Sequence, residues 1–494
     1  MVATRPKSSQ MPLMGRTASR VSPRAGYDAI DTKNRRQAPT GILRSEDNEL
    51  LPEHRRKLVS GVRDIRRNFA LVAWAIRKHL DYVTNFTFRA DTGDEVLDDE
   101  INQIIEIASR KENFDAAGRH SRARMTRIAE GMRVVDGDFG FLKIRNGSVQ
   151  GIEGDRIRTP YGGLPDGVSA DEFTHGIQLG AGGRARAYAI SKRVGQTGFE
   201  FERIIPAYAM YLHAFYDRID QVRGISPVAA SLNNYRDVYE GFDYALAKMK
   251  VTQIFALATF MADDPDELGE TTDTDVTDED TGETGSEFKI DFGKGPIHLP
   301  LRKGDDAKFL SENTPSSEFQ AFSQIVISVA LKSLDIPYSF YAENFTNYSG
   351  SRQAVVQYEH SASTKREDVR DWLNNWTAWR LSIAMDDGIL RLPGRMRFGD
   401  LKWKWIARGL PWIDPLKEIN GDVTALQACL NSPQRILERQ GVDAWEVLRE
   451  IAQWNRWRVE NGLPPYNFDS VDPMARAAAV AAAEGQPEGK SNAA

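Results

Sequence analysis

Between Leu50 and Arg133 the apolar residues recur three and four positions apart. Leu58, Val62, Ile65, Phe69, Val72 and Ile76 fall on one face, the pattern of amphipathic helix. At Phe139 the pattern changes. Residues 139–149 read as strand, turn and strand around Asn146-Gly147, a hairpin signal. Further short strands fit Arg186 to Lys192 and Phe199 to Pro206. Helices therefore precede the sheet, and the fold class is α+β.

The longest helical pattern follows Arg223-Gly224-Ile225-Ser226-Pro227, with Ser226 suited to the N-cap and Pro227 to the first helical position. It runs to Met261 with Gly241 as its weak point, a span of roughly 50 Å at ~1.5 Å per residue. Residues 263 to 287 hold twelve acids and no base, the composition of a mobile loop. A short β segment at 288–301 follows. A second helix fits Ser316 to Leu334, with Phe319, Phe322, Val326, Val329 and Ala330 along one side. After Asp335-Ile336-Pro337-Tyr338 comes an aromatic and amide-rich stretch, Ser339 to Gly350. Another long helix starts near Ser351 and reaches toward Gly388, with Pro393 and Gly394 closing that region. Residues 432 to 461 read as helical, and the Ala-, Gly- and Glu-rich last twenty as a frayed tail.

At 494 residues the chain is too long for a single core. The charged fraction, 27%, is ordinary for a globular protein. Net charge is −6, from 64 basic and 70 acidic residues, which excludes a uniformly basic nucleic-acid sink but leaves room for a local patch. The first 36 residues carry eight Lys or Arg and two acids, and read as a flexible basic arm. The single cysteine, Cys429, can form neither an intramolecular disulfide nor a thiolate zinc site. No apolar run reaches eighteen residues, so no membrane span is expected.

Catalytic patterns do not emerge. There is no GxSxG, HExxH or GxGxxG, and the seven histidines are scattered without metal-ligand spacing. Gly485 to Ser491 imitates a phosphate loop but is one residue short of it and lies in the Ala-rich tail. Asp136, Asp138 and Asp155 flank the hairpin, where aspartate is a common turn residue, so no metal cluster is expected. Neither catalysis nor any cofactor is indicated. The plan is mechanical: long helices that bury themselves only against neighbours, for which copies of the same chain are the simplest supply.

Several segments carry a resemblance. They are Gly137-Asp138-Phe139-Gly140, Glu153-Gly154-Asp155-Arg156-Ile157, Tyr188-Ala189-Ile190, Ile205-Pro206-Ala207 and Arg223-Gly224-Ile225-Ser226-Pro227. Ile336-Pro337-Tyr338, Asn347-Tyr348-Ser349-Gly350-Ser351-Arg352 and Trp412-Ile413-Asp414-Pro415-Leu416-Lys417-Glu418 follow. In this order the sequence resembles the lambda-type portal proteins of tailed bacteriophages, across residues 25 to about 460. The acidic stretch at 263–287 departs from that family's pattern.

The resemblance implies a portal fold with wing, helical stem, small β-containing clip, tunnel loop and helical crown, assembled as a ring-shaped homo-oligomer, typically a dodecamer. It divides the chain into an arm (1–36), wing (37–225), first stem helix (226–261) and clip (262–315). A second stem helix (316–335), tunnel loop (336–350), long helix with wing return (351–430), crown (431–473) and disordered tail (474–494) complete it. The implied partners are double-stranded DNA without sequence preference, the terminase large subunit, the major capsid protein and a head-completion or adaptor protein. The implied place is the portal vertex of the virion, after assembly in the bacterial cytoplasm. The rival expectation is another head–tail connector or adaptor without a DNA channel.

A channel must hold DNA without gripping it, because each Lys or Arg that neutralises a phosphate adds salt-sensitive affinity. Residues 339–350 contain one acid, Glu343, and no Lys or Arg. Tyr341, Glu343, Asn344, Asn347 and Tyr348 are therefore the expected DNA-facing set, the amides and phenols offering exchangeable hydrogen bonds to the backbone. Lys248, Lys250 and Lys332 either complement helix dipoles or form basic rings in the channel. Arg352, ill-placed for its helix dipole, is expected in an inter-subunit or loop-fixing salt bridge. Asp273, Asp275, Asp278, Glu279 and Asp280 mark the acidic loop of the clip.

Overall fold

Phe69 splits the first apolar stripe into two helices. Its backbone is extended (φ −119°, ψ 114°), and it both closes one helix and opens the next. The computed structural model describes residues 45–196, 198–256, 317–343, 348–394, 396–409 and 415–465 and the short strands at 275–277 and 284–286. For 251–256, 275–277, 284–286, 348–349 and 351 it describes the backbone only.

The described residues begin with α1 (Glu46–Glu49), α2 (Pro52–Asn68) and α3 (Ala70–Val83). Strand β1 (Phe86–Ala90) follows, then α4 (Glu95–Ser109), α5 (Lys111–Phe114) and α6 (Arg122–Asp136). The helical pattern expected through Arg133 is thus interrupted by β1, which pairs antiparallel with a strand more than 300 residues later, so nothing local announces it. Asp94 caps α4 by accepting from the backbone N–H of Val96 and Leu97.

The hairpin read from Asn146-Gly147 is present as β2 (Asp138–Lys143) and β3 (Val149–Glu153). Strands β4 (Phe173–Thr174), β5 (Ile177–Leu179), β6 (Ala185–Val194) and β7 (Gly198–Pro206) form an antiparallel four-stranded sheet in chain order. Strand β8 (Met210–Ala214) returns to the other edge of β2, giving the order β3-β2-β8.

A 3-10 turn, Pro227–Ser231, leads into α7 (Leu232–Ala256). Ser226 caps it through the Val228 N–H. Strands β9 (Asp275–Thr277) and β10 (Thr284–Ser286) pair antiparallel inside the acidic stretch. Helix α8 (Ser317–Leu331) then returns beside α7, with Phe242 and Phe319 edge-to-face at 6.3 Å. The residues placed along one side of α8 divide: Ala330 is buried and Val326 packs against the core. Ile327, Ala330 and Leu331 are buried, while Phe322 and Val329 stand exposed. Helix α9 (Tyr338–Ala342) precedes the 39-residue α10 (Tyr348–Asp386). Strand β11 (Trp403–Ala407) completes the two-stranded sheet with β1. Helices α11 (Pro415–Gln427), α12 (Pro433–Arg439) and α13 (Ala444–Glu460) close the described chain.

Among the described residues three cores hold this together. The first joins α2 and α3 to the proximal ends of α7 and α8, through Val62, Ile76, Leu232, Tyr235, Ile327 and Leu331. The second wraps α4, α6 and β2 around α10. There Phe141 stacks on the fully buried Trp372, with centroids 3.6 Å apart and planes within 7°. The third lies between the sheets, on Ile152, Ile157, Ile177, Ile190 and Ile205. Burying a large apolar side chain contributes about 1.5–3 kcal/mol, so the Trp-rich seam along α10 is a main anchor of the long helix.

Candidate functional site

Gly137 and Gly224 meet backbone to backbone. Gly137 ends α6 in the left-handed region (φ 96°), and a Cβ there would lie 2.3 Å from the Gly224 carbonyl oxygen. A Cβ on Gly224 would lie 1.9 Å from the Gly137 oxygen. Only glycine permits so close an approach. It places Arg223 against Asp138, the first residue of β2.

Arg223 donates through Nε to Asp138 Oδ2 (2.6 Å) and through Nη2 to Oδ1 (2.8 Å). Its other donors go to the carbonyl oxygens of Ile157 (2.5 Å), Gly154 (2.6 Å) and His175 (2.8 Å). All five guanidinium N–H groups are therefore used. Asp138 also accepts from Arg55 Nη2 (2.9 Å) and the Gly224 N–H (3.1 Å). Burial alone would raise the Asp138 carboxyl, but Arg223 and Arg55 hold it below the usual range. Burial, reinforced by neighbouring Arg223, lowers Arg55 to about 10.

The network extends outward. Arg63 donates to both oxygens of Asp136 (2.8 and 2.5 Å) and to Asp155 (3.3 Å). Arg193 on β6 joins Asp155 (2.8 Å) and Glu153. The aspartates expected as turn residues are instead acceptors in an ion network. Their arginine partners come from α2, β6 and the approach to α7, which spacing along the chain does not display. Four of the segments that carried the family resemblance, 137–140, 153–157, 188–190 and 223–227, converge on this hub or on the strands beside it. Ser226, in the last of them, donates its hydroxyl to the Val134 carbonyl (2.6 Å) and so fixes where α7 begins.

A second buried cluster lies on the other side of α6. Glu130 accepts from His79 Nε2 (2.7 Å), His213 Nε2 (2.8 Å), Arg133 Nε (2.7 Å) and Arg133 Nη2 (3.0 Å). Arg133 reaches on to Asp368 of α10 (2.9 Å). Burial alone would raise the Glu130 carboxyl, but Arg133 and the two imidazoles hold it well below the ordinary range. Burial pushes both histidines down, so they stand as neutral donors. No sequence feature had marked either histidine.

Around the expected DNA-facing set, Asp335 adopts the left-handed conformation (φ 60°) where α8 ends. Lys365 of α10 pins this corner, donating to the Leu334 carbonyl (2.8 Å) and pairing with Asp335 (2.8 Å). Helix α9 then carries Tyr341, exposed and edge-to-face on Trp74 at 6.2 Å. Glu343, exposed, ends α9 in a second left-handed turn (φ 50°). Asn344 and Asn347 lie outside the described residues, as do Asp273, Asp278, Glu279, Asp280, the basic arm and the tail. Tyr348 opens α10, and Asp275 opens β9 opposite Ser286.

Lys248, Lys250 and Lys332 are all exposed. Lys248 and Lys250, two residues apart on one helix, project about 200° from each other at ~3.6 residues per turn. One channel wall therefore takes at most one of them. Arg352 is exposed and makes no ion pair among the described residues.

On α7 and α8 several large apolar residues stay exposed at regular spacing among the described residues, although Tyr239 also meets Phe69 and Phe242 meets Phe319 at one ring edge. Tyr239, Phe242 and Leu246 are exposed on one helix, and Phe322, Ile325 and Val329 on the other. Both sets have the i, i+3, i+7 spacing that makes one stripe. Of these six, the sequence reading had singled out only Phe322 and Val329, as members of one side of the helix.

The model for a family described as phage portal protein, lambda family, matches residues 33–366, well over half of the chain. The chain belongs to that family. A probable portal protein of Halomonas phage phiHAP-1 is 24% identical over 404 residues, covering 76% of this chain and 75% of that protein. Among solved structures, a chain of the virion of a native gene transfer agent particle is 13% identical, with TM-score 0.42. A chain from the neck of the empty particle is also 13% identical, with TM-score 0.44. Each covers 82% of this family member and 94% of the matched chain. Among the described residues, no helix is long and apolar enough to cross a membrane.

Proposed function

We propose that copies of this chain close into a ring at one capsid vertex and that double-stranded DNA passes through its bore during packaging and ejection. The observation that carries this reading is the pair of partly exposed apolar stripes on α7 and α8. Two different stripes on one subunit suit a heterologous, head-to-tail contact, the kind that closes into rings. Membership of the portal family supplies the context.

In this reading α7 and α8 are the stem. The residues between them form the clip, which docks the terminase large subunit and later a head-completion or adaptor protein. Segment 336–350 faces the DNA, residues 37–225 with the return from 351 form the wing, the ring meets the major capsid protein at its vertex, and α12 and α13 belong to the crown. The task is structural: position the duplex and let it slide. A lightly charged lining serves it, because every added phosphate contact deepens a salt-dependent hold.

Sedimentation of the intact protein and of Ile325→Glu tests this. Ile325 is 63% exposed, so the substitution leaves the subunit folded while placing repeated like charges in the proposed contact. Large rings for the parent chain and folded monomers for the variant are expected. Unchanged assembly of the variant contradicts the contact.

A further inference from the structure

Strand β11 has β1 along one edge and no strand along the other. Its ladder with β1 continues at both ends, Asp91 N–H donating to the Lys402 carbonyl and Arg408 N–H to the Asn85 carbonyl, each at 2.9 Å. In that register the even-numbered residues of β11 bond to β1. The backbone groups of Trp403, Trp405 and Ala407 therefore point the other way. Among the described residues this outer edge receives one hydrogen bond, from Arg370 Nε of α10 to the Trp405 carbonyl (3.2 Å).

The outer edge lines a cavity of about 460 Å³. Helix α10 supplies the facing wall through Glu359, Arg366, Arg370 and Asn374, whose spacing keeps them on one side of the helix. The end of α12 adds Glu438 and Arg439. In all, five lining side chains are cationic and two are anionic. Arg366 is fully engaged, with its Nε on the Tyr82 carbonyl (2.7 Å) and its other two nitrogens on Glu359. Arg370 gives one terminal nitrogen to Glu367 and keeps the second unused. Arg408 is exposed and makes no ion pair among the described residues.

We propose that this groove takes an extended acidic segment of another protein, which adds to β11 as a third strand. A strand edge alternates donors and acceptors. A peptide backbone answers that alternation, whereas a nucleic-acid phosphate offers acceptors only. The edge spans about 17 Å at ~3.4 Å per residue, enough for five residues of an incoming strand. Arg370 marks the place. Its Nε holds the carbonyl that an incoming N–H would take, and once displaced its guanidinium meets a carboxylate on the arriving chain. Copies of this chain are poorer occupants. Their long edge strand β7 carries Glu200 and Glu202, and these already pair with Lys192 (3.0 Å) and Arg156 (2.9 Å).

Fluorescence anisotropy on the full-length protein tests this with labelled heptapeptides. One alternates valine with glutamate, one valine with lysine, and one is the glutamate peptide fully N-methylated. A labelled thymidine oligomer is the nucleic-acid probe. The glutamate peptide should bind at least about tenfold more tightly than the lysine peptide, and Arg408→Glu should weaken it by about tenfold. The N-methylated form should not bind, and the amides of Trp405 and Ala407 should exchange more slowly with the glutamate peptide in place. No binding by the glutamate peptide, or equal binding by the lysine peptide, overturns the proposal. Binding that survives N-methylation overturns the strand pairing. Binding of the thymidine oligomer alone, weakened by Arg408→Glu, assigns the groove to nucleic acid and overturns it too. So does a self-association that Arg408→Glu abolishes, which assigns the groove to a second copy.

Discussion

Arg223 and Asp138, 85 residues apart in sequence, form a two-pronged ion pair, Nε to Oδ2 at 2.6 Å and Nη2 to Oδ1 at 2.8 Å, with both side chains essentially inaccessible to water. It ties the end of α6 and the start of β2 to the turn that launches α7. Removing one member of such a pair leaves a buried, uncompensated charge. Asp138→Ala is therefore expected to lose about 3–5 kcal/mol, read as a lower urea midpoint. Arg223→Lys is expected to fall close behind, because an ammonium cannot reproduce the five-donor fork. A midpoint within error of the parent for Asp138→Ala removes the hub from the account.

Acid should find the Glu130 cluster first. His79 and His213 have folded-state pKa values below the ordinary histidine value, so the unfolded chain takes up protons that the folded chain refuses. Stability is then flat well above about pH 6.5 and falls as the pH drops below it, by at most about 1.4 kcal/mol per unit for each histidine. Below about pH 4.5 Glu130, held ionised in the fold, adds its own loss. Thermal unfolding between pH 7.5 and 5 checks this. Gln at both 79 and 213 can still donate to Glu130 but cannot titrate, and should flatten the curve between pH 6.5 and 5. An equally steep curve in that variant places the acid sensitivity elsewhere.

The DNA-facing role proposed for segment 336–350 makes a separate claim. Asn344→Ala with Asn347→Ala would remove the exchangeable contacts to the DNA backbone that the proposal assigns to these amides. Rings should assemble normally, while the amount of DNA packaged or retained in the particle changes. Normal rings with unchanged packaging and retention argue that this segment does not touch the duplex.

Local pattern made the hairpin of β2 and β3, the cap at Ser226 and the long helices legible, because each is dictated by neighbours in sequence. What sequence hid was long-range. Strand β1 meets its partner β11 across most of the chain, and Phe69 breaks a helix without any Gly or Pro to announce it. The hub stayed hidden because aspartates at a hairpin are ordinary, and only the fold reveals that Arg55, Arg63 and Arg223 arrive beside them. The apolar positions of α8 were visible but not their direction. Phe322 and Val329 share one side of the helix with Val326 and Ala330 in the sequence, yet in the single chain they face outward. Three of the segments that carried the family resemblance, 137–140, 153–157 and 223–227, contribute residues to one hub.

Electron microscopy of the purified full-length protein tests the central claim most directly. The account predicts closed rings of identical subunits with an axial opening wide enough for B-form DNA, broken into single subunits by a charge in the α7 or α8 stripe. Monomers, or assemblies without an axial opening, would contradict it.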